Sequence, residues 1–302
     1  MKKIGISCGT IVSKYGYEKA FELCKESGFD AVDFDLQRFG KYMGASDIYN
    51  ASEDEFEAYF TAIKNKAESL GLEISQTHGR CRTYTPDEMQ CEYTRWVSEK
   101  DLKATRVLGA GSCVIHSIAS GRWPDNYLDG EFMHRKNKEM FDYLIPIAEK
   151  NNVKIALETF GRANVYGESK VDFFADVKEF KKQFDMLETK NKTICVDTGH
   201  THEATPFGVP GPAEVIRTLG SDVTLLHLHD NNGFEDLHLP PILHGPHTIK
   251  WGEIFDALDD IGYEGVYNFE LFFGHFGDVM PEAVRFLGKW LRYFVDNRGK
   301  TN

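Results

Sequence analysis

Ile4-Gly5-Ile6-Ser7-Cys8-Gly9-Thr10-Ile11 is the stretch on which the fold turns. Its first half is a short apolar run of strand type. Its second half has neither G-x-G-x-x-G nor a Walker lysine, the marks of an open doubly wound sheet that cradles a phosphate after its first strand. Met1-Lys2-Lys3 sets two cations ahead of the run, but the apolar stretch is too short and broken for a signal peptide. Further along, the same unit recurs. Candidate strands follow at Ala31–Asp35, Leu72–Thr77, Cys113–His116, Val153–Glu158, Thr193–Asp197, Val223–His229 and Val266–Glu270. Helical spacing fills the gaps, at Tyr17–Ser27, Glu53–Leu70, Pro86–Leu108, Glu131–Asn151, Val171–Leu187, Pro212–Leu219, Trp251–Ile261 and Pro281–Phe294. Gly28, Gly71, Gly109, Gly220 and Gly262 each follow such a stretch, as helix-ending glycines do. Eight strand–helix units without a linker predict a parallel sheet wrapped by helices. In 302 residues that is a single (β/α)8 TIM barrel, one domain spanning 1–302.

Composition agrees with one large core. Hydrophobic residues make up 41% and aromatics 13%, too much core-forming material for a disordered chain. No apolar run approaches the roughly 20 residues of a membrane span. The formal net charge of −12 argues against a nucleic-acid partner, whose backbone is gripped by clustered Lys and Arg. Six scattered cysteines without a C-x-x-C pair read as reduced thiols, and the expected compartment is the cytoplasm.

Barrel chemistry belongs to the C-terminal ends of the strands, so the residue that ends each strand carries the functional reading. From the third strand on they end in His78, His116, Glu158, Asp197, the pair His227 and His229, and Glu270. A lone His or Asp at such a position is usually a turn or cap residue. Six consecutive strand ends carrying proton-moving or cation-binding side chains argue for a shared purpose, and a metal ion is the simplest common partner. Seven of the eleven histidines fall between residues 200 and 247, which concentrates this chemistry in the second half. His227 and His229 point to the same side of a strand, so the residues alone leave either one free to be the ligand.

Leu157-Glu158, Val196-Asp197-Thr198-Gly199-His200, His227-Leu228-His229-Asp230-Asn231, Asp236-Leu237-His238-Leu239-Pro240, Ile249-Lys250-Trp251 and Phe269-Glu270-Leu271 occur in the order of a known family. Through them the chain resembles the xylose isomerase-like barrels, which comprise sugar and sugar-phosphate isomerases and epimerases together with endonuclease IV-type nucleases. The resemblance implies one divalent ion (Mn, Mg, Co or Zn) held by Glu158, Asp197, His227 and Glu270. Its spacing, with a ligand three residues before an acidic residue, selects His227 over His229. It implies further that Glu158 removes a proton beside a ketose carbonyl and Glu270 returns one, through a metal-stabilised enediolate. His200, His229, His238, His116 and His78 become substrate contacts. Arg162 becomes a bidentate contact for a phosphate or carboxylate, with Arg80 and Arg82 similar candidates.

Two other activities share the scaffold. An endonuclease IV-like zinc phosphodiesterase would use nine ligands, with candidates at His78, His116, Glu158, Asp197, His200, His227, Asp236, His238 and Glu270. A lyase or dehydratase would begin with the same proton abstraction. The expected partner is a small-molecule sugar or sugar phosphate, with no nucleic acid and no membrane; a homo-oligomer is compatible with the sequence, but no stripe specifies one. Phe39–Asp47 and Ser120–Asp129 read as loop insertions suited to lids, and Phe272 and Phe273 as packing between barrel and helix.

Overall fold

A computed structural model describes residues 1–43, 47–81, 83–241 and 247–300. Arg82, and His244 of the histidine-rich stretch, lie outside the described residues, as does part of the Phe39–Asp47 loop. The barrel strands are β1 (Ile4–Ser7), β2 (Ala31–Asp35), β3 (Glu73–His78), β4 (Ser112–Ile115), β5 (Lys154–Glu158), β8 (Lys192–Asp197), β9 (Val223–His227) and β10 (Tyr267–Phe269). They form one parallel sheet in the order β10-β1-β2-β3-β4-β5-β8-β9. The last two edges meet through Leu228, whose N–H donates to Asn268 O at 2.9 Å while its carbonyl accepts from Glu270 N at 3.1 Å. The predicted (β/α)8 TIM barrel is therefore the fold. No helix among the described residues is long and apolar enough to cross a membrane.

The outer layer contains α1 (Gly9–Glu26), α2 (Glu53–Ser69), α3 (Glu88–Leu108), α4 (Gly130–Asn151), α5 (Val177–Asp185), α7 (Pro212–Leu219), α8 (Trp251–Asp260) and α9 (Met280–Asp296). Ends are set locally: Ser52 and Glu55 form a capping box on α2, and Gly109 closes α3 with φ 79°, where a side chain would be strained. Of the boundaries that differ from the sequence expectation, three bear on the architecture. Helix α1 begins directly after β1 and bends at Gly16, whose φ of 78° only glycine adopts freely, so the pattern from Tyr17 captured its second half. The expected helix Val171–Leu187 shrinks to α5, because Arg162–Val165 (β6) and Glu168–Val171 (β7) form an antiparallel hairpin turned at Tyr166 and Gly167. A short helix, α6 (Thr198–Ala204), follows β8 at once.

Two cores result. The larger lies between the outer faces of the strands and the helices, with Ile4, Ile6, Phe21, Phe34 and Phe269 fully enclosed. The smaller fills the barrel itself: Val114, Ala156 and Cys195, with Leu225 packed against them. Small side chains suit this narrow interior, and they form the floor on which the polar residues of the next layer rest.

Candidate active site

Side chains alternate along a strand, so the inward position two residues beyond the apolar floor faces the barrel mouth. Ala156 leads to Glu158, Cys195 to Asp197 and Leu225 to His227. All three of these polar residues are buried, Glu158 at 1% exposure and the other two at 0%. His227 Nδ1 lies 2.8 Å from Glu158 Oε1 and 3.2 Å from Glu270 Oε2, so carboxylates from β5 and from the end of β10 converge on one imidazole. Its other nitrogen, Nε2, is 3.0 Å from Oδ2 of the buried Asp33 on β2. That oxygen also accepts from Ser7 Oγ at 3.1 Å and Gln76 Nε2 at 3.3 Å. Asp33 thus anchors the ring from behind.

Asp197 begins a second group. One of its oxygens accepts from His200 N at 2.6 Å and caps α6. Both lie 3.0 Å from His229 Nε2. His229 stacks on His238 at 4.0 Å, and His238 Nε2 is 3.2 Å from Asp236 Oδ2. Gly199 is required here, since a Cβ on it would come within 1.9 Å of the His229 ring. On the opposite side, His78 stacks on His227 at 5.2 Å, and His116 Nε2 lies 2.6 Å from Glu158 Oε2.

The structure brings together every strand-end residue singled out from the sequence. His78, Glu158, His227 and Glu270 form one potential ligand set; Glu158 and Asp197 join His200 in another; Asp197 and Glu270 join His229 in a third. Glu158 and Glu270 therefore bridge the groups, and Asp197 is reached by His229 more closely than by His227. The charges respond to this crowding. Burial opposes ionised imidazoles, yet Cys81, Glu270 and Glu158 raise His78 to about 9. Against the same opposition, hydrogen bonding to Asp236, with the charges of Glu270 and Asp236, raises His238 to about 10. Burial likewise resists ionisation of Glu158, but His116 and His227 hold its carboxyl well below the usual range. The donor set fits a divalent cation. Glu158 Oε2 and His229 Nδ1 are buried without a hydrogen-bond partner, and the contact from His116 to that oxygen is close but not aligned for a hydrogen bond. Carboxylate oxygens and imidazole nitrogens are ligands for hard or borderline ions.

The arginines differ from expectation. Arg80 is buried: its Nη1 donates to Gln37 O, its Nη2 to Leu36 O, Phe39 O and Asp101, and its Nε lies 3.1 Å from Asp101 Oδ2. It fastens the loop after β2 and is not available to a phosphate. Arg162 does reach the mouth, but Nε donates to Glu203 O, Nη1 to Ser169 Oγ and Nη2 to Gly233 O. Its guanidinium lies over the rings of Phe207 and Phe234, 4.8 and 5.8 Å from their centroids. Phe273 is buried as expected, whereas Phe272 is half exposed and lines a cleft, since adjacent residues beyond the strand end point apart. The β6–β7 hairpin covers the mouth beside the turns of Ser120–Asn126, and a Cβ on Gly121 would meet Asn164 O at 2.5 Å. Sequence reasoning missed this hairpin, whose only local mark is Tyr166-Gly167. It also missed Gln76 and Cys81, the latter with Sγ 3.5 Å from His116 Nε2.

The family description "xylose isomerase-like TIM barrel" matches residues 21–291. Uncharacterized protein MJ1311 of Methanocaldococcus jannaschii is 31% identical over 132 residues, covering 42% of this chain and 40% of that protein. Uncharacterized protein y4fM of Sinorhizobium fredii is 28% identical over 171 residues, covering 54% and 48%. The chain thus spans less than half the length of either relative. Among solved structures, a D-tagatose 3-epimerase-like protein superposes with a TM-score of 0.70 at 22% identity, over 99% of this chain and 100% of that one. The 3-keto-D-glucoside 4-epimerase YcjR of E. coli gives 0.70 at 15% identity, over 97% and 100%. At these identities the likeness is one of fold.

Proposed function

This chain belongs to the xylose isomerase-like TIM barrel family, and we propose that it is a metal-dependent sugar isomerase or epimerase that moves a proton on the carbon beside a carbonyl. One observation carries the reading: Glu158 and Glu270, from strands three apart around the barrel, converge on His227 Nδ1 at 2.8 and 3.2 Å. Two carboxylates facing one space from different sides suit removal of a proton from one face and its return to the other. Glu158, shielded from water, takes the role of base, and Glu270, 18% exposed at its side chain, that of proton donor. Glu158, Asp197, His227 and Glu270 would hold one divalent ion (Mn, Mg, Co or Zn), which supplies Lewis-acid stabilisation of negative charge on the substrate oxygens. His200 and His238, partly exposed, bind hydroxyls and relay protons, with His78 and His116 on the facing wall. His229 is fully buried and acts by orienting Asp197. Arg162 shapes the mouth through its fixed guanidinium. Sugar epimerases among the solved structures of the same fold support this reading.

The test is elemental analysis of the purified protein followed by incubation with a ketose panel in deuterated water. About one Mn, Mg, Co or Zn per chain and deuterium at the carbon next to the carbonyl is the expected result. Loss of water from the labelled sugar would redirect the reading to a lyase. Three zinc ions with phosphodiester cleavage and no exchange would replace it with the nuclease.

A further inference from the structure

We infer that the site takes a neutral, unphosphorylated ketose carrying a second ring, and that this second ring lies in a subsite formed by Arg162 and Phe234. The inference rests on the proton-transfer reading and names its substrate class. Two clefts open onto the carboxylate and imidazole layer. One, of about 280 Å3, is lined by Asp33, Asp35, His78, His238, Glu270 and Phe272. The other, of about 490 Å3, is lined by His116, Phe160, Arg162, His200, Phe234 and Asp236. Side chains of the layer stand between them. The rings of His78 and His116 are 5.6 Å apart on one wall, and His238 Nε2 is 3.2 Å from Asp236 Oδ2 on the other. A single ketose beside Glu270 belongs to the smaller cleft, and the larger one then remains for whatever the ketose carries.

Charge selects the class. Among the described residues the smaller cleft has no Lys or Arg in its lining, while Asp33, Asp35 and Glu270 face it. Among the described residues the only Lys or Arg lining the larger cleft is Arg162, already bonded to Glu203 O, Ser169 Oγ and Gly233 O and flanked by Glu203, Glu235 and Asp236. A phosphate would bring about two negative charges beside these carboxylates, and among the described residues no guanidinium lining either cleft is free to meet it bidentately. A neutral sugar meets no such penalty. Phe234 is 53% exposed beside the Arg162 guanidinium, and its ring offers an apolar face to the C–H side of a second sugar. Ser169 and Glu235 supply polar groups at the edge of that cleft.

The experiment compares three probes on the metal-loaded protein: D-fructose, its 6-O-glucosyl disaccharide isomaltulose, and fructose 6-phosphate. Solvent deuterium exchange gives kcat/KM for each, and titration calorimetry gives binding independently of turnover. We expect isomaltulose to exceed fructose by about tenfold in kcat/KM and the phosphate to bind at least about tenfold more weakly than fructose. Phe234→Ala should bring the disaccharide-to-fructose ratio close to one, and Phe234→Tyr should restore it. Equal or better use of fructose, tightest binding of the phosphate, or a ratio unmoved by Phe234→Ala would overturn the subsite. If no probe exchanges its proton, the proton-transfer reading falls, while the calorimetric ranking still decides size and charge preference.

Discussion

Two residues along a strand separate two unlike interiors. Ala156, Cys195 and Leu225 belong to an apolar floor; Glu158, Asp197 and His227, the next inward positions, belong to a layer of charge. The floor is held by close packing alone. The layer gathers Asp33, Glu158, Asp197, Glu270 and several imidazoles where water is excluded, so its repulsions must be balanced by protons or by a cation. The contrast teaches that stability and chemistry occupy adjacent storeys of the same strands. The floor keeps the strand ends fixed, and the dry setting strengthens every charge interaction above it.

The largest expected effect divides the two storeys. Glu158→Gln should lower turnover by roughly 10²–10⁴-fold, the range for a lost general base, while the metal-free protein stays folded. Turnover assays beside thermal melts check this, and an unfolded variant would break the comparison. Metal loading comes next: at a hundred times Kd a bound ion adds about 2.7 kcal/mol of stability. Its pH dependence has opposite signs with and without the ion. In the metal-free protein His78 and His238, raised to about 9 and about 10, contribute stability that is full below the ordinary imidazole value of 6.5. That contribution is lost as pH rises through about 9 to about 10. In the loaded protein protons compete with the ion, so stabilisation by metal should shrink as pH falls. Melts across pH with and without Mn²⁺ read both slopes.

Asp33→Asn should weaken metal affinity by about 10–100-fold, because the carboxylate that fixes His227 from behind is gone. Equilibrium dialysis measures it, and an unchanged affinity would remove His227 from the ligand set. Smallest is Val114→Ala in the floor. It should cost about 1–2 kcal/mol in denaturant unfolding and leave metal affinity unchanged. A variant that lost its metal instead would show that the storeys are coupled.

Much of this was legible in the residues. Ala156-Leu157-Glu158 and Cys195-Val196-Asp197 announce both storeys, because period-two alternation fixes which side chains share a face. Strand-to-helix rhythm predicted the barrel for the same reason. Arg80 was not legible: after a strand end it looks like a substrate contact, and only the approach of Asp101 from α3 and the carbonyls after β2 makes it structural. Nor was the β6–β7 hairpin, whose four-residue strands are too short to show a period. The parts played by His227 and His229 differ by which neighbours meet them, and those neighbours lie 194 and 32 positions away, at Asp33 and Asp197.

By itself the sequence determined the eight strand–helix units, the acidic and imidazole character of the strand ends, and the lack of a phosphate-binding loop after β1. These are properties of neighbours along the chain, where backbone alternation and helical period act directly. Only the tertiary structure decided that Glu158 and Glu270 share one imidazole, that Asp33 backs it, and that the arginines are already engaged. Those facts depend on barrel closure and on the packing of loops over its mouth, which bring residues far apart in sequence to hydrogen-bonding distance, and no local preference carries that information.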